Sequence, residues 1–155
     1  MELIRNDISS LNQKFDKLNI NNNIINKEIQ YDNGRYVGQV VNGLPEEKGI
    51  FYWNDGERYE GDWRNGKKEG KGIYYYKSGN RYEGDWRNGN KEGKGIFYYN
   101  DGDRYEGDFR NDKREGKGIY YYNDGDRRMG DYSNNNPIGK HVTLTKNGEV
   151  KTNNN

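Results

Sequence analysis

The sequence predicts an all-β repeat protein: an elongated, twisted, single-layer antiparallel meander of β-hairpins, preceded by a short N-terminal α-helix. Three observations carry this. A 23-residue unit recurs about five times after Gly34. Each unit holds two β-favouring stretches separated by glycine-bearing turns. The apolar content is aromatic, with 15 Tyr and 3 Trp, while Leu, Ile, Val and Phe together fall below roughly 20% of the chain.

The unit is plainest at Tyr59, where YEGDWRNGKKEGKGIYYYKSGNR runs directly into YEGDWRNGNKEGKGIFYYNDGDR. Steps of 23 align Tyr36, Tyr59, Tyr82 and Tyr105, then Gly38 through Gly130, and then Trp63, Trp86, Phe109 and Tyr132. Units therefore start near Tyr36, Tyr59, Tyr82, Tyr105 and Arg128, within a ribbon spanning residues 31–150. The outer copies are degraded, as terminal repeats that cap a stack are: Val40 replaces the Trp, Pro45 interrupts the first unit, and Arg128 and His141 replace Tyr and Gly in the last.

Within a unit, Arg58 to Trp63 alternates with period two, and Ile73-Tyr74-Tyr75-Tyr76 is β-branched and aromatic. Asn65-Gly66 and the following Lys67 to Gly70 are expected to join these strands. Lys77-Ser78-Gly79-Asn80 or Asn100-Asp101-Gly102-Asp103 joins successive units. Glycine inside a strand forfeits packing and backbone entropy, so a reason is needed. Alternation puts Tyr59, Gly61 and Trp63 on one face, with Gly70, Gly72, Tyr74 and Tyr76 beside them, so large rings can lie across neighbouring glycines. The opposite face carries Arg58, Glu60, Asp62, Lys71, Ile73 and Tyr75.

Residues 1–30 read differently. Ile4, Ile8, Leu11, Phe15 and Leu18 follow the 4-3-4-3 spacing of a helical seam; an Asn-rich stretch follows, and Ile25 and Ile29 resume the register. A helix here would either cap the open edge of the first hairpin or pair with a second copy to make a homodimer. Residues 151–155 read as a disordered tail.

A formal net charge of +1 leaves the chain free of strong self-repulsion. With no Cys there is no disulfide, thiolate metal site or thiol nucleophile, which suits a reducing compartment. The start Met1-Glu2-Leu3-Ile4-Arg5 lacks a signal peptide's apolar stretch, and no apolar run approaches the ~18 residues of a membrane span. A soluble, cytoplasmic protein is the expectation. His141 is the only imidazole, and no nucleophile elbow or phosphate-binding loop is present. No catalytic residue, metal or cofactor is assigned. The Asn-Asp-Gly-Asp runs at Asn100 and Asn123 lack the spacing and distal Glu of a calcium loop, and turn chemistry explains them.

The candidate interaction residues fall into two sets. The aromatic face comprises Tyr59, Trp63, Tyr74, Tyr76, Tyr82, Trp86, Tyr99, Tyr105, Phe109 and Tyr122. The second set, Lys67, Lys68, Lys71, Lys91, Lys94, Arg114 and Lys117, gathers at one long edge. It reads either as an anionic-ligand edge for lipid headgroups or as a solvated edge blunted against strand pairing. The near-neutral balance offers nucleic acid little counterion release and disfavours it as a partner.

The pattern Tyr59-x-Gly61-x-Trp63-x-x-Gly66-x-x-x-Gly70-x-Gly72, closing on Gly79, resembles the MORN (membrane occupation and recognition nexus) repeat. The resemblance covers about Tyr36 to Glu149 and departs at Val40, Pro45, Arg128 and His141. It implies a curved antiparallel ribbon used for interaction, of the kind found in junctional, cytoskeletal, ciliary and cell-division proteins. A non-catalytic scaffold for protein partners is the first functional expectation. A peripheral module for phosphoinositides or anionic membranes is the alternative that the family name suggests.

Overall fold

The computed structural model describes residues 25–154. They form one antiparallel sheet whose twelve strands neighbour each other in sequence order. The strands are β1 (Ile25–Tyr31), β2 (Gly34–Val41), β3 (Leu44–Trp53), β4 (Arg58–Arg64), β5 (Lys67–Tyr75) and β6 (Arg81–Arg87), followed by β7 (Asn90–Tyr98), β8 (Arg104–Arg110), β9 (Lys113–Tyr121), β10 (Arg127–Ser133), β11 (Asn136–Leu144) and β12 (Val150–Asn154). No helix occurs among them. At about 4.8 Å per strand, the meander is on the order of 50 Å long.

The two kinds of turn differ. Asn65-Gly66, Asn88-Gly89, Asn111-Asp112 and Asn134-Asn135 all have positive φ at both residues, the two-residue geometry that matches strand twist. Lys67 to Gly70, expected as loop, is therefore strand. A bulge absorbs the extra length: Trp63 pairs with Lys68 but Gly61 pairs with Gly72, so three residues of β5 face Asp62 alone. Gly70 takes φ +63° there, and the Asp62 carboxylate accepts the Lys71 N–H at 2.9 Å. Asp85 and Asp108 repeat this at Lys94 and Lys117. The inter-unit turns bond to each other along their edge. Asn123 takes its N–H to Asp103 and its amide to the Asp101 carbonyl, and Asn100 does the same with Asn80 and Ser78. This is the turn chemistry expected of the Asn-Asp-Gly-Asp runs.

The core is a row of rings on a floor of glycine. Gly38, Gly49, Gly61, Gly72, Gly84, Gly95, Gly107 and Gly118 stand directly opposite one another across successive strands. Tyr59 lies over Gly72, where an added Cβ would meet the phenol oxygen at 2.3 Å. Its hydroxyl donates to the Asp62 carbonyl at the bulge, 3.0 Å, as those of Tyr36, Tyr82 and Tyr105 do to Gln39, Asp85 and Asp108. These tyrosines are fully buried. Trp63, Trp86 and Phe109 stand edge-on between them, the rings 4.9–5.3 Å apart, within the range that adds to simple burial. Trp86 Nε1–H also donates to the Gly72 carbonyl at 3.1 Å.

Three expectations need correction or relocation. The seam Ile4 to Leu18 lies outside the described residues, but Ile25 and Ile29, placed in the same helical register, belong to strand β1. Pairing to β2 from Ile25↔Val40 to Tyr31↔Gly34 satisfies the open edge that a helix was expected to cap. Residues 151–154, expected to be disordered, pair as β12 with β11. His141 is more than a decayed glycine. Arg128 has removed the tyrosine that would lie over position 141 with its hydroxyl above Gly130, and the His141 ring fills that space from the neighbouring strand, fully buried and against Gly130, where it leaves no room for a Cβ. It continues the ring row, 5.5 Å and edge-on from Tyr132.

Two outcomes follow from this packing. Trp86→Ala should destabilise the chain by about 3 kcal/mol, near the cost of truncating a packed aromatic. Denaturant unfolding will show it, and a change under about 0.5 kcal/mol would mean the ring is not core. His141→Gly should cost about 2 kcal/mol or more by opening the Gly130 site, and Arg128→Tyr added to it should recover most of that loss; additive single effects would break the inferred exchange.

Candidate functional site

The sheet has two unlike faces, and the predicted interaction residues divide between them. On the aromatic face, Tyr59, Tyr82, Trp86, Tyr105 and Phe109 are buried as core and Trp63 keeps only an edge open, at a cavity beside Lys68, so a partner cannot reach this inner row beyond that edge without opening the fold. A second ring row lies beside them, running through Phe51, Trp53, Tyr74, Tyr76, Phe97, Tyr99, Tyr120 and Tyr122 with centroids 4.5–5.7 Å apart; Phe51 and Tyr74 are buried in it, and the other six are its reachable part. Trp53, Tyr76, Tyr99 and Tyr122 are half-buried. Glu57 accepts a short hydrogen bond from the Tyr74 hydroxyl, and Asp103 accepts one from Tyr120 at 2.7 Å, which draws acids of the inter-unit turns onto this row. Phe51, Trp53, Phe97 and Tyr120 escaped the sequence-based selection, although their 23-residue spacing from Tyr74 and Tyr76 marks them.

The expected basic edge is not one surface. Lys68, Lys91 and Arg114 fold onto the aromatic face. The Lys68 ammonium lies 4.1 Å from the Trp86 ring centre and 4.6 Å from that of Tyr74, with Tyr59 and Trp53 within 6.0 Å. Lys91 sits among Tyr76, Tyr82 and Phe97, and Arg114 between Tyr105 and Tyr132. Such contacts are worth about 0.5–2 kcal/mol each. Lys71, Lys94 and Lys117 lie on the other face and pair with Asp85, Asp108 and Asp131. Lys67 lies exposed at a hairpin end, and Lys71, Lys94 and Lys117 are exposed too, though paired. The acids interspersed at this edge cap turns: Glu69 accepts the Asn88 N–H and Glu92 that of Asn111. The separation follows strand alternation: Lys68 and Lys71 lie three residues apart and so point to opposite faces, and the bulge between them, two residues in excess on β5, keeps that parity.

The second face is a groove of about 1330 Å³ running from β2 to β10. Three rows cross the strands. Arg58, Arg81 and Arg104 lie flat over Tyr75, Tyr98 and Tyr121 at 3.9–4.2 Å. Next, Ile73, Ile96 and Ile119 alternate with Glu60, Glu83 and Glu106. The third row is ionic, with Lys48, Lys71 and Lys94 paired to Asp62, Asp85 and Asp108. Glycine backbone forms the floor. Opposite charges meet strand by strand here, so the groove carries little net field.

The repeat positions now have a geometric meaning, and comparison with known proteins assigns the family. The MORN repeat matches residues 36–58, 59–81, 82–104 and 105–127 without a gap. The chain belongs to the MORN-repeat family. No curated protein matches its sequence. Among solved structures it is similar to the TCP domain of SAS-4 (dCPAP) of Drosophila melanogaster, solved in complex with a proline-rich motif of Ana2 (dSTIL). They share 16% identity over 83% of each chain, with a TM-score of 0.43. The MORN match ends at residue 127, where Arg128 breaks the pattern and His141 compensates for it.

Titration of the caged lysine offers a test. Burial among the rings pushes Lys68 down to about 8, with Asp112 and Glu57 opposing the shift and Lys91 adding to it. Between about pH 8 and the ordinary 10.5, the unfolded chain holds a proton that folded Lys68 has released, so stability rises with pH there. Burial acts oppositely on the tyrosines, raising Tyr36 to about 12 and also raising Tyr59, Tyr82 and Tyr105. Above about pH 10 the unfolded chain loses phenolic protons that the folded one keeps, and stability falls. Unfolding free energy against pH should therefore climb from about 8, peak near 10 and decline. Lys68→Met should reduce the climb to the part that Lys91, also pushed down by burial, supplies, and leave the decline.

Proposed function

We propose that this MORN-repeat chain is a non-catalytic scaffold that holds an elongated protein segment along its groove face, within a cytoplasmic assembly of the cytoskeleton, a cilium or a membrane. MORN repeats are in general interaction and membrane-associated modules. The observation that carries the reading is the isoleucine row Ile50, Ile73, Ile96 and Ile119. It lies half-exposed along the groove, between ionic rows that already satisfy themselves. Eight strand steps of about 4.8 Å give a track near 38 Å, which suits roughly eleven residues of extended chain. An apolar track with neutralised charges favours a protein surface over an anionic bilayer, to which paired lysines contribute little. Membrane attachment, whether direct or through a partner, is the competing reading.

Ile73→Lys with Ile96→Lys tests this directly, because each new lysine faces glutamates across the strands and folding should persist. A photo-cross-linker placed at Ile50 or Ile119 should capture a protein from cell extract that one placed at Tyr99 does not, and the double variant should lose it. Capture from Tyr99 alone would refute the groove reading. So would flotation of the wild-type chain with phosphoinositide vesicles at physiological salt, with neutral vesicles spared and the double variant floating equally.

A further inference from the structure

The repeats permit each hairpin turn to be compared with its neighbours, and one is incomplete. The second residue of each Asn-led turn lies beside the residue in the Lys68 column of the preceding unit, giving the pairs Pro45 and Gly66, Lys68 and Gly89, Lys91 and Asp112, and Arg114 and Asn135. In all four the turn residue's N–H donates to the column residue's carbonyl, at 2.9–3.1 Å. The reverse bond needs a side-chain acceptor. Asp112 Oδ1 accepts the Lys91 N–H at 2.9 Å, and Asn135 Oδ1 accepts that of Arg114 at 2.8 Å. Pro45 has no N–H to satisfy, so Gly66 suffices beside it. Lys68 does have one, and Gly89 offers it no side chain.

The Lys68 ammonium is in a similar position. Lys91 Nζ donates to the Tyr76 hydroxyl at 3.1 Å, and an Arg114 guanidinium nitrogen donates to the Asn135 carbonyl at 2.6 Å. Lys68 has aromatic rings around it but no carboxylate within ion-pair distance and no acceptor for its ammonium among the described residues. The missing side chain leaves room. A cavity of about 310 Å³ opens where Phe51, Trp53 and Trp63 meet Lys68, Gly66 and Gly89, and a Cβ built on Gly89 has nothing within 4 Å.

We propose that this cavity binds an acidic side chain of a partner protein, whose carboxylate takes beside Lys68 the place that Asp112 holds beside Lys91, while an adjoining apolar residue packs on Phe51, Trp53 and Trp63. A carboxylate answers both the amide and the uncompensated cation, and in this low-dielectric setting a charge-assisted bond is stronger than a neutral one. The three rings select an apolar neighbour and leave a strongly hydrated anion at a disadvantage. The site lies on the face opposite the groove, so the two can fail separately.

Two capped dipeptides test it on the full chain, phenylalanyl-glutamate and its neutral isostere phenylalanyl-glutamine, with amide and indole resonances as the readout. The glutamate peptide should give saturable shifts at Lys68, Gly89 and the Trp63 indole, and bind about tenfold or more tightly than the glutamine peptide. The amides of Lys91 and Asp112 should stay still. Gly89→Asp should abolish the response and raise the unfolding temperature, since Asp112 already shows that the turn accepts this residue at φ +67°; Gly89→Asn, which copies the arrangement at Asn135, should do likewise. The proposal is overturned by equal affinity for the two peptides, by no saturable shift at Lys68, or by a folded Gly89→Asp variant that responds as the wild type does.

Discussion

The ring of Tyr59 lies across the backbone of Gly72, close enough that even a methyl group there would strike its hydroxyl. A sheet one layer thick has no second layer to bury against, so burial must be found within it. Glycine makes that possible by lowering the floor, and a large ring then covers what glycine leaves bare. The hydroxyl does a second task, donating to the Asp62 carbonyl where the bulge disturbs the ladder. One side chain thus buries apolar surface, protects backbone and satisfies an irregular carbonyl. The same unit at Tyr36, Tyr82 and Tyr105 makes stability a sum of neighbour contacts along one axis.

The last unit shows that the ring is what the position requires, whichever strand supplies it. Arg128 gives up the tyrosine, and His141, whose ring lies against Gly130, takes the place of a glycine whose covering ring had gone. Neither substitution is intelligible alone. The exchange costs the hydroxyl bond, and the Tyr132 hydroxyl and both His141 nitrogens have no partner in this unit. A weaker final unit suits the end of a stack, where one side has no further repeat to support.

Function follows from which side chains the core consumes. Because the innermost rings are spent on packing, the surfaces that stay open are the half-exposed ring row, the cavity where Gly89 omits a cap, and the opposite groove. Strand alternation sorts the lysines between these surfaces. Lys68 and Lys91 turn to the rings, while Lys71 and Lys94, three residues further along, turn to the aspartates. What resembles a continuous basic edge in sequence becomes one set held against aromatic rings and another paired to aspartates.

Periodicity was enough to determine the repeat, the antiparallel meander, the aromatic and polar faces and the reason for strand glycine, because each depends on residues at fixed spacing within one unit. The two-residue turn at Asn65-Gly66 was partly legible, and the bulge beyond it was not, since a positive φ at Gly70 depends on the Asp62 carboxylate held across the strand. Other features arise only when units meet. The buried state of Tyr59 and Trp86, the pairing of Lys71 and Lys94 with aspartates, the rescue of Gly130 by His141 and the uncapped amide of Lys68 all rest on contacts between residues about a dozen to twenty positions apart. Strand β1 belongs with them: Ile25 and Ile29 fit a helical register as well as a strand, and only the unpaired edge of β2 decides between the two.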